Sequence, residues 1–373
     1  MNILILSWRG IGHPKAGGAE VVTFEHAKGW VKAGHKVTLF TSFYKGAQVL
    51  DEIDGIKIIR SGGEALGVKF RAALYFLSGA HEKFDLVVDE FHGLPFLTPL
   101  YIRSRKLAFI HEVAKEVWRL NPWPKPFNLI PWIIGSSLEP LLFKLFYKNT
   151  PFITVSDSTK KDLMEWGIKN KKINVINNGV NSKKIKVIKE DKKTAIFLGA
   201  LALDKGFPDA VTTFNHIHKK VGNNFQYWVV GKGDKEIVQQ QKNVINKLGL
   251  QKSIKFWGFV DEDKKFELLS RAHILINPSI REGWGLVVIE AATVGTPTVG
   301  YNVPGLRDSI VNRKTGILVN DRTPEHLGDE IIKVLGDKGK YKKMSKNAIA
   351  WSKKFSWRKS TEASLKMLER ISN

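Results

Sequence analysis

Short apolar runs alternate with longer segments whose apolar residues recur at helical spacing, and this alternation continues along the whole chain. Apolar runs buried on both faces and separated by helices predict parallel sheets covered by helices, an α/β architecture. In the first half, strands are predicted at 3–7, 36–41, 57–59, 85–88, 107–110, 153–155 and 173–176. The second half supplies 195–198, 226–230, 254–256, 274–276, 297–300 and 316–319. Between the two series, residues 181–193 are polar, lysine-rich and without apolar periodicity, which predicts a linker. It separates a first domain, 1–180, from a second, 194–354, and 355–373 predicts a final helix with Ser356 near its start. The expected fold is two Rossmann-like, doubly wound domains facing across a cleft at the carboxyl ends of their strands, where such sheets bind ligands.

Composition adds limits. The 373 residues suffice for two ordinary domains, and 43% apolar with 25% charged content describes a globular chain. The absence of cysteine removes disulfides and thiolate metal sites and agrees with a reducing compartment. The chain opens on a strand-like run with no basic leader before it. The apolar stretch 129–147 is interrupted by Pro131, Ser136, Ser137, Glu139 and Pro140, so no membrane-spanning helix is expected and a cytoplasmic location is. The net charge of +23 changes the picture more, because such a field attracts nucleic acid, anionic lipid or phosphorylated substrates.

The chemistry concentrates in Glu282-Gly283-Trp284-Gly285-Leu286 and the apolar run to Glu290, directly after a strand-like run. Strand, glycine-bearing turn and helix form a phosphate site, because the first amides of a helix have no partner within it. Read as helix throughout, the eight-position separation of the glutamates spans at most ~12 Å. That is about the distance from the ribose to the sugar of a nucleotide-sugar. Two solvated glutamates on an amphipathic helix fit the spacing equally well.

Other elements narrow the choice. Gly199 opens a turn after a predicted strand that carries Lys205 and Gly206 to a helix start, where an ammonium can meet a departing phosphate. Gly17 and Gly18 precede another helix, and a glycine turn follows Val230. Phe259 and Val260 follow a strand at the rim of the expected cleft. Asp261-Glu262-Asp263 spells an Asp-x-Asp metal motif, but Asp261 suits a helix N-cap, and no metal is expected. His111 ends a strand, where open sheets present ligand-binding side chains, with Asp89, Glu90 and His92 as lesser candidates for an acceptor side.

Together these segments resemble the retaining family 4 glycosyltransferases with the GT-B fold. Glu282 to Glu290 resembles the family's Glu-x7-Glu motif, 199–206 its Gly-Arg-Leu-x-x-x-Lys-Gly element, and 17–20 its Gly-Gly-Ala-Glu element. The resemblance implies a nucleoside diphosphate sugar as donor, no further cofactor, and metal-independent transfer with retained configuration. It places Glu282 on the transferred sugar, Glu290 on the ribose and Lys205 on the diphosphate. His111 falls near the reaction centre, so Glu282, His111 and Lys205 are the expected catalytic residues. Donor contacts are expected from Gly17, Gly18, Gly199, Phe259, Val260, Gly283, Trp284, Gly285 and Leu286, chiefly through backbone. The sequence departs from the pattern at Ala200, where the family has arginine; Arg281 and Arg9 are the candidate substitutes. A sugar-nucleotide epimerase or hydrolase on the same fold, and a non-catalytic nucleotide-sugar-binding protein, remain alternatives. Nucleic acid is not an expected partner, since no recognised nucleic-acid module appears.

Residues 117–147 interleave Trp118, Trp123, Phe127, Trp132, Phe143 and Phe146 with Arg119, Lys125, Lys144 and Lys148. This mixture suits a lipid interface, and equally suits core helices with basic ends. With the net charge, it predicts peripheral attachment to an anionic membrane surface and a lipid-linked or glycolipid acceptor.

Overall fold

The structure is a computed structural model that describes every residue except 92, 121–125, 182–187 and 373. The chain forms two compact units. One consists mainly of Met1–Arg119, residues 126–179 and the C-terminal segment from Ser356; the other is essentially Val180–Phe355. The expected linker, His92, Trp123 and Lys125 therefore fall wholly or largely outside the described residues.

The first unit holds β1 (Asn2–Leu6), β2 (Lys36–Thr41), β3 (Leu50–Ile53), β4 (Ile56–Arg60), β5 (Leu86–Phe91), β6 (Arg105–Ile110), β7 (Phe152–Thr154) and β8 (Ile173–Val175). Their order is β3-β4-β2-β1-β5-β6-β7-β8, parallel throughout except that β3 runs antiparallel to β4. Strand β3 is not among the predicted ones, because only Leu50 and Ile53 are apolar in an exposed edge strand. Its signal was Asp54-Gly55, where both residues take positive φ, 51° and 76°, as a tight hairpin turn requires. Strand β5 also extends past its predicted end to Phe91, so Asp89 and Glu90 lie within the sheet.

One sheet face, bearing Leu4, Leu6, Val87, Phe91, Ala108 and Ile110, packs on the helix Leu66–Leu77 and on the helical residues 129–147. The other face meets the helix Gly18–Lys32, and the helix Trp357–Ser372 packs on that helix. Ser364 Oγ lies 2.9 Å from both His26 Nδ1 and Trp30 Nε1, and Ser360 donates to the Asn177 carbonyl. Burial keeps the His26 imidazole neutral and lowers its pKa to about 3, with His111 adding to the effect. An unfolded histidine titrates near 6.5. Between those values the folded chain binds fewer protons, so stability is full above about pH 6.5 and falls as pH drops toward 3. Urea unfolding across that window should show His26→Gln reducing the pH slope by up to about 1.4 kcal/mol per pH unit. An unchanged slope would remove His26 as its source.

Residues 129–147 differ from expectation. Leu129–Leu142 is α-helical and passes into a π-helical turn, Phe143–Tyr147, so the polar residues and prolines do not break it. Pro131 sits in the first turn, where its missing N–H costs nothing, and the helix widens just after Pro140. By length and composition this helix could cross a membrane, with mean hydropathy 1.4. Within the helix itself the aromatic residues are not the exposed part. Phe143 and Tyr147 are fully buried, Trp118 donates to the buried Glu139, and Trp132 stacks under Arg119. Ile133, Ile134, Leu141 and Leu145 form the open face together with Phe127 and Leu129.

The second unit holds β9 (Lys193–Leu198), β10 (Phe225–Val230), β11 (Ile254–Gly258), β12 (Ile274–Asn277), β13 (Thr298–Tyr301) and β14 (Gly316–Val319). All neighbours are parallel, in the order β11-β10-β9-β12-β13-β14. In each sheet the chain winds outward in both directions from one junction, β1/β5 in the first and β9/β12 in the second. Loops leaving those two strands diverge, which opens a crevice at their carboxyl ends.

Candidate functional site

The β9/β12 junction brings Lys205 and Glu282 together. The turn after β9 carries Lys205 to the helix Phe207–Val221, and the loop after β12 carries Glu282 to the helix Leu286–Thr293. Lys205 Nζ lies 3.1 Å from Glu282 Oε2, and Ser279 Oγ donates to Glu282 Oε1 at 2.8 Å. The Ile280 amide donates to the Asp204 carbonyl, which ties one loop to the other. Both charged side chains remain partly open.

Glu282 is not helical. The helix begins only at Leu286, after Gly285 at φ 80°, so the two glutamates do not share the expected helical spacing. No side chain caps the helix start, which leaves its first amides free of side-chain partners. Glu290 lies inside the helix, nearly buried, with Oε1 2.7 Å from Lys265 Nζ on the helix Glu262–Arg271. Nothing in the local sequence marks Lys265. The Trp284 ring is buried against Phe355, with centroids 5.0 Å apart, so its backbone is the part available to a ligand. The loop after β13 supports Glu282 from behind: Pro304 accepts from the Glu282 amide, and Gly305 packs against the Glu282 backbone. Lys205 and Gly206 thus lie against the loop that carries Glu282, whereas Gly199, at the start of the same turn, packs against Gly231.

At the end of β11, Phe259 is 72% exposed with the Lys232 ammonium 4.8 Å from its ring, and Val260 is half-buried. Asp261 accepts from the Lys264 amide, the N-cap role expected of it.

The remaining candidates belong to the first unit. The Gly17 amide donates to Glu20 Oε2 at 2.7 Å just before Gly18 begins its helix, and Glu20 pairs with Arg9 at 3.1 Å. Burial raises the Glu20 pKa against the opposing pull of Arg9. His111 Nε2 lies 3.0 Å from Glu90 Oε1 and 3.3 Å from Thr23 Oγ1. Glu90 Oε2 is buried without a hydrogen-bond partner among the described residues. Asp89 accepts from the Phe96 and Thr98 amides, the Thr98 hydroxyl and the Tyr147 hydroxyl, which makes it a structural anchor. Of the cations considered in place of an arginine at Ala200, Arg9 is committed to Glu20, and Arg281 is buried beside Glu282 in sequence.

Comparison with known proteins agrees with this architecture. The family profile "Glycosyltransferase Family 4" matches residues 16–184, and "Glycosyl transferases group 1" matches 180–351. A glycosyltransferase of Methanocaldococcus jannaschii is 27% identical over 367 residues, covering 91% of this chain and 90% of that protein. Sucrose-phosphate synthase from Thermosynechococcus elongatus superposes with a TM-score of 0.81 at 18% identity, covering 99% of this chain and 98% of the other. Anabaena HepE in complex with UDP-glucose gives 0.75 at 19% identity, over 99% and 100%. The chain is thus a glycosyltransferase of family 4, built on the GT-B fold.

Proposed function

We propose that this glycosyltransferase moves a sugar from a nucleoside diphosphate sugar to a lipid-linked acceptor, with retained anomeric configuration and without a metal. The ion pair of Lys205 and Glu282 beside an uncapped helix start, at the β9/β12 junction, is the observation that carries this reading. The donor diphosphate sits against the first amides of the helix Leu286–Thr293, with Lys205 beside it. As the anomeric C–O bond breaks, negative charge grows on the departing phosphate, and a preorganised ammonium stabilises it. Glu282 takes the sugar hydroxyls, and Glu290, steadied by Lys265, takes the ribose. With Ala200 in place of arginine, Lys205 and the helix amides carry the leaving group's charge. Residues 194–354 thus serve the donor and 1–180 the acceptor. UDP-sugars are the first donors to test, since the Anabaena neighbour holds UDP-glucose.

The membrane part of the proposal rests on residues 129–147. Phe143, Tyr147 and Glu139 fix this helix to its own unit, while its aliphatic side stays open and Lys144 and Lys148 are exposed. A helix held along one side suits lying in the interface, on the cytoplasmic face, better than crossing the bilayer.

A panel of UDP- and GDP-sugars, with and without a membrane lipid extract, tests this by nucleoside diphosphate release. Lipid-dependent release from one donor is the expected result. Release without lipid would favour a hydrolase or a soluble acceptor. Donor binding without release under any condition would favour the non-catalytic alternative.

A further inference from the structure

The helix Leu66–Leu77 is apolar on opposite sides. Val68 and Ala72 are buried against the sheet, with Tyr75 and Phe76 packed beside them. Leu66, Phe70, Leu74 and Leu77 recur at helical spacing on the other side and face outward, Leu66 and Phe70 being 71% and 65% exposed. A second apolar stripe on the side of a helix away from its own core marks a surface for a partner or a membrane. This one lies on the same sheet face as residues 129–147, whose open side is also aliphatic. The helix carries no acidic residue, and its charges are Lys69 and Arg71.

Lys69 stands at the border between the exposed stripe and the sheet. Its ammonium lies 4.7 Å from the Phe96 ring and 5.9 Å from the Trp8 ring. Trp8 follows β1 and Phe96 follows β5, so the ammonium is at the junction where this sheet opens its crevice. Asp89 and Glu90 act on it only electrostatically, and it makes no hydrogen bond or ion pair with a described residue. A cation between two aromatic rings, beside a lipid-facing stripe, suits a phosphate carried on an apolar tail.

We propose that the helix Leu66–Leu77 is the acceptor-binding element: its outer stripe enters the bilayer, and Lys69 takes the phosphate of a lipid whose phosphate-bearing headgroup is anionic. This rests on the membrane reading above and names its acceptor class. The occupant is a lipid because the exposed stripe is aliphatic, its flanking charges are positive, and the chain's net charge of +23 complements an anionic surface.

Sedimentation of the full chain with vesicles of phosphatidylcholine, alone or doped with phosphatidic acid, tests the proposal. The triple variant Leu66→Ser/Phe70→Ser/Leu77→Ser should lose affinity for both vesicles by about ten-fold or more. Lys69→Gln should lose about five-fold on phosphatidic acid vesicles alone. The substituted positions lie at the surface or the crevice, and an unchanged melting temperature confirms folding. Unaltered binding by either variant would overturn the proposal. So would glycerol 3-phosphate binding as tightly as the vesicles, which would place the ligand in solution. A dimer lost in the triple variant while vesicle binding persists would assign the stripe to a second copy. Ile133→Ser/Ile134→Ser/Leu141→Ser separates the two readings. If only that variant loses vesicle binding, the membrane surface stands and the role of Leu66–Leu77 falls; if the unsubstituted chain ignores both vesicles, both fall.

Discussion

Lys205→Ala should lower kcat by about two to three orders of magnitude, while donor affinity changes by about ten-fold or less. The asymmetry follows from when the charge appears. In the proposed mechanism the diphosphate charge is already shared with helix amides in the ground state, whereas bond cleavage concentrates new charge on one phosphate oxygen. An ammonium fixed 3.1 Å from Glu282 meets that charge without reorganising. The position that could share the task holds Ala200, so the loss should lie toward the upper end of the range. Lys205→Arg should recover part of the rate, since it keeps the charge but changes the shape of the donor. Single-turnover release of nucleoside diphosphate at saturating donor measures the effect. A loss under about ten-fold in kcat would assign Lys205 to loop structure and leave the leaving group to the helix start.

Gly305→Ala should be nearly as damaging, although Gly305 has no side chain to offer a substrate. Its φ is 79°, and a Cβ there would lie 2.2 Å from the Glu282 carbonyl oxygen and 2.6 Å from its carbonyl carbon. Both contacts are with backbone, so the Glu282 loop must move. A displacement of about 1 Å at a positioned group costs roughly a hundred-fold in rate. Calorimetry of donor binding should therefore weaken together with kcat, unlike the Lys205 variant. A melting temperature within a few degrees of the unsubstituted chain, together with full activity, would show that the loop yields elsewhere.

The fold was largely legible because most strands are well buried and read as short apolar runs; thirteen of the fourteen strands among the described residues fall on predicted ones. The exception, β3, is an exposed edge whose signal was its turn. The strand, turn and helix expected around 282–290 are present, but the helical spacing assumed from Glu282 to Glu290 fails at Gly285, because a left-handed residue ends one conformation and starts another without changing the hydrophobic pattern. The candidate site was legible as motifs but not as partnerships. Glu282, Lys205 and Glu290 stand out within their own segments. That Lys265 reaches Glu290, that Gly305 supports Glu282, and that Glu90 holds His111 depends on which loops the strand order brings together. Likewise, the aromatic and basic mixture of 117–147 fitted a lipid interface and core helices equally, because periodicity does not say which side of a helix apolar on both sides meets the sheet.

Because Ser364 closes over His26 and Trp30, the first unit contains chain from both sides of the second. During synthesis its sheet can be complete at β8 while the layer over Gly18–Lys32 is still missing. At about 5–20 residues per second, the ribosome takes roughly 10 to 40 s to make the intervening stretch. For that time Trp30 and its neighbours are exposed while the second unit folds, a period in which a chaperone or a neighbouring nascent chain can engage them. The last helix thus sets the order of maturation, and the first unit to emerge is the last to be sealed.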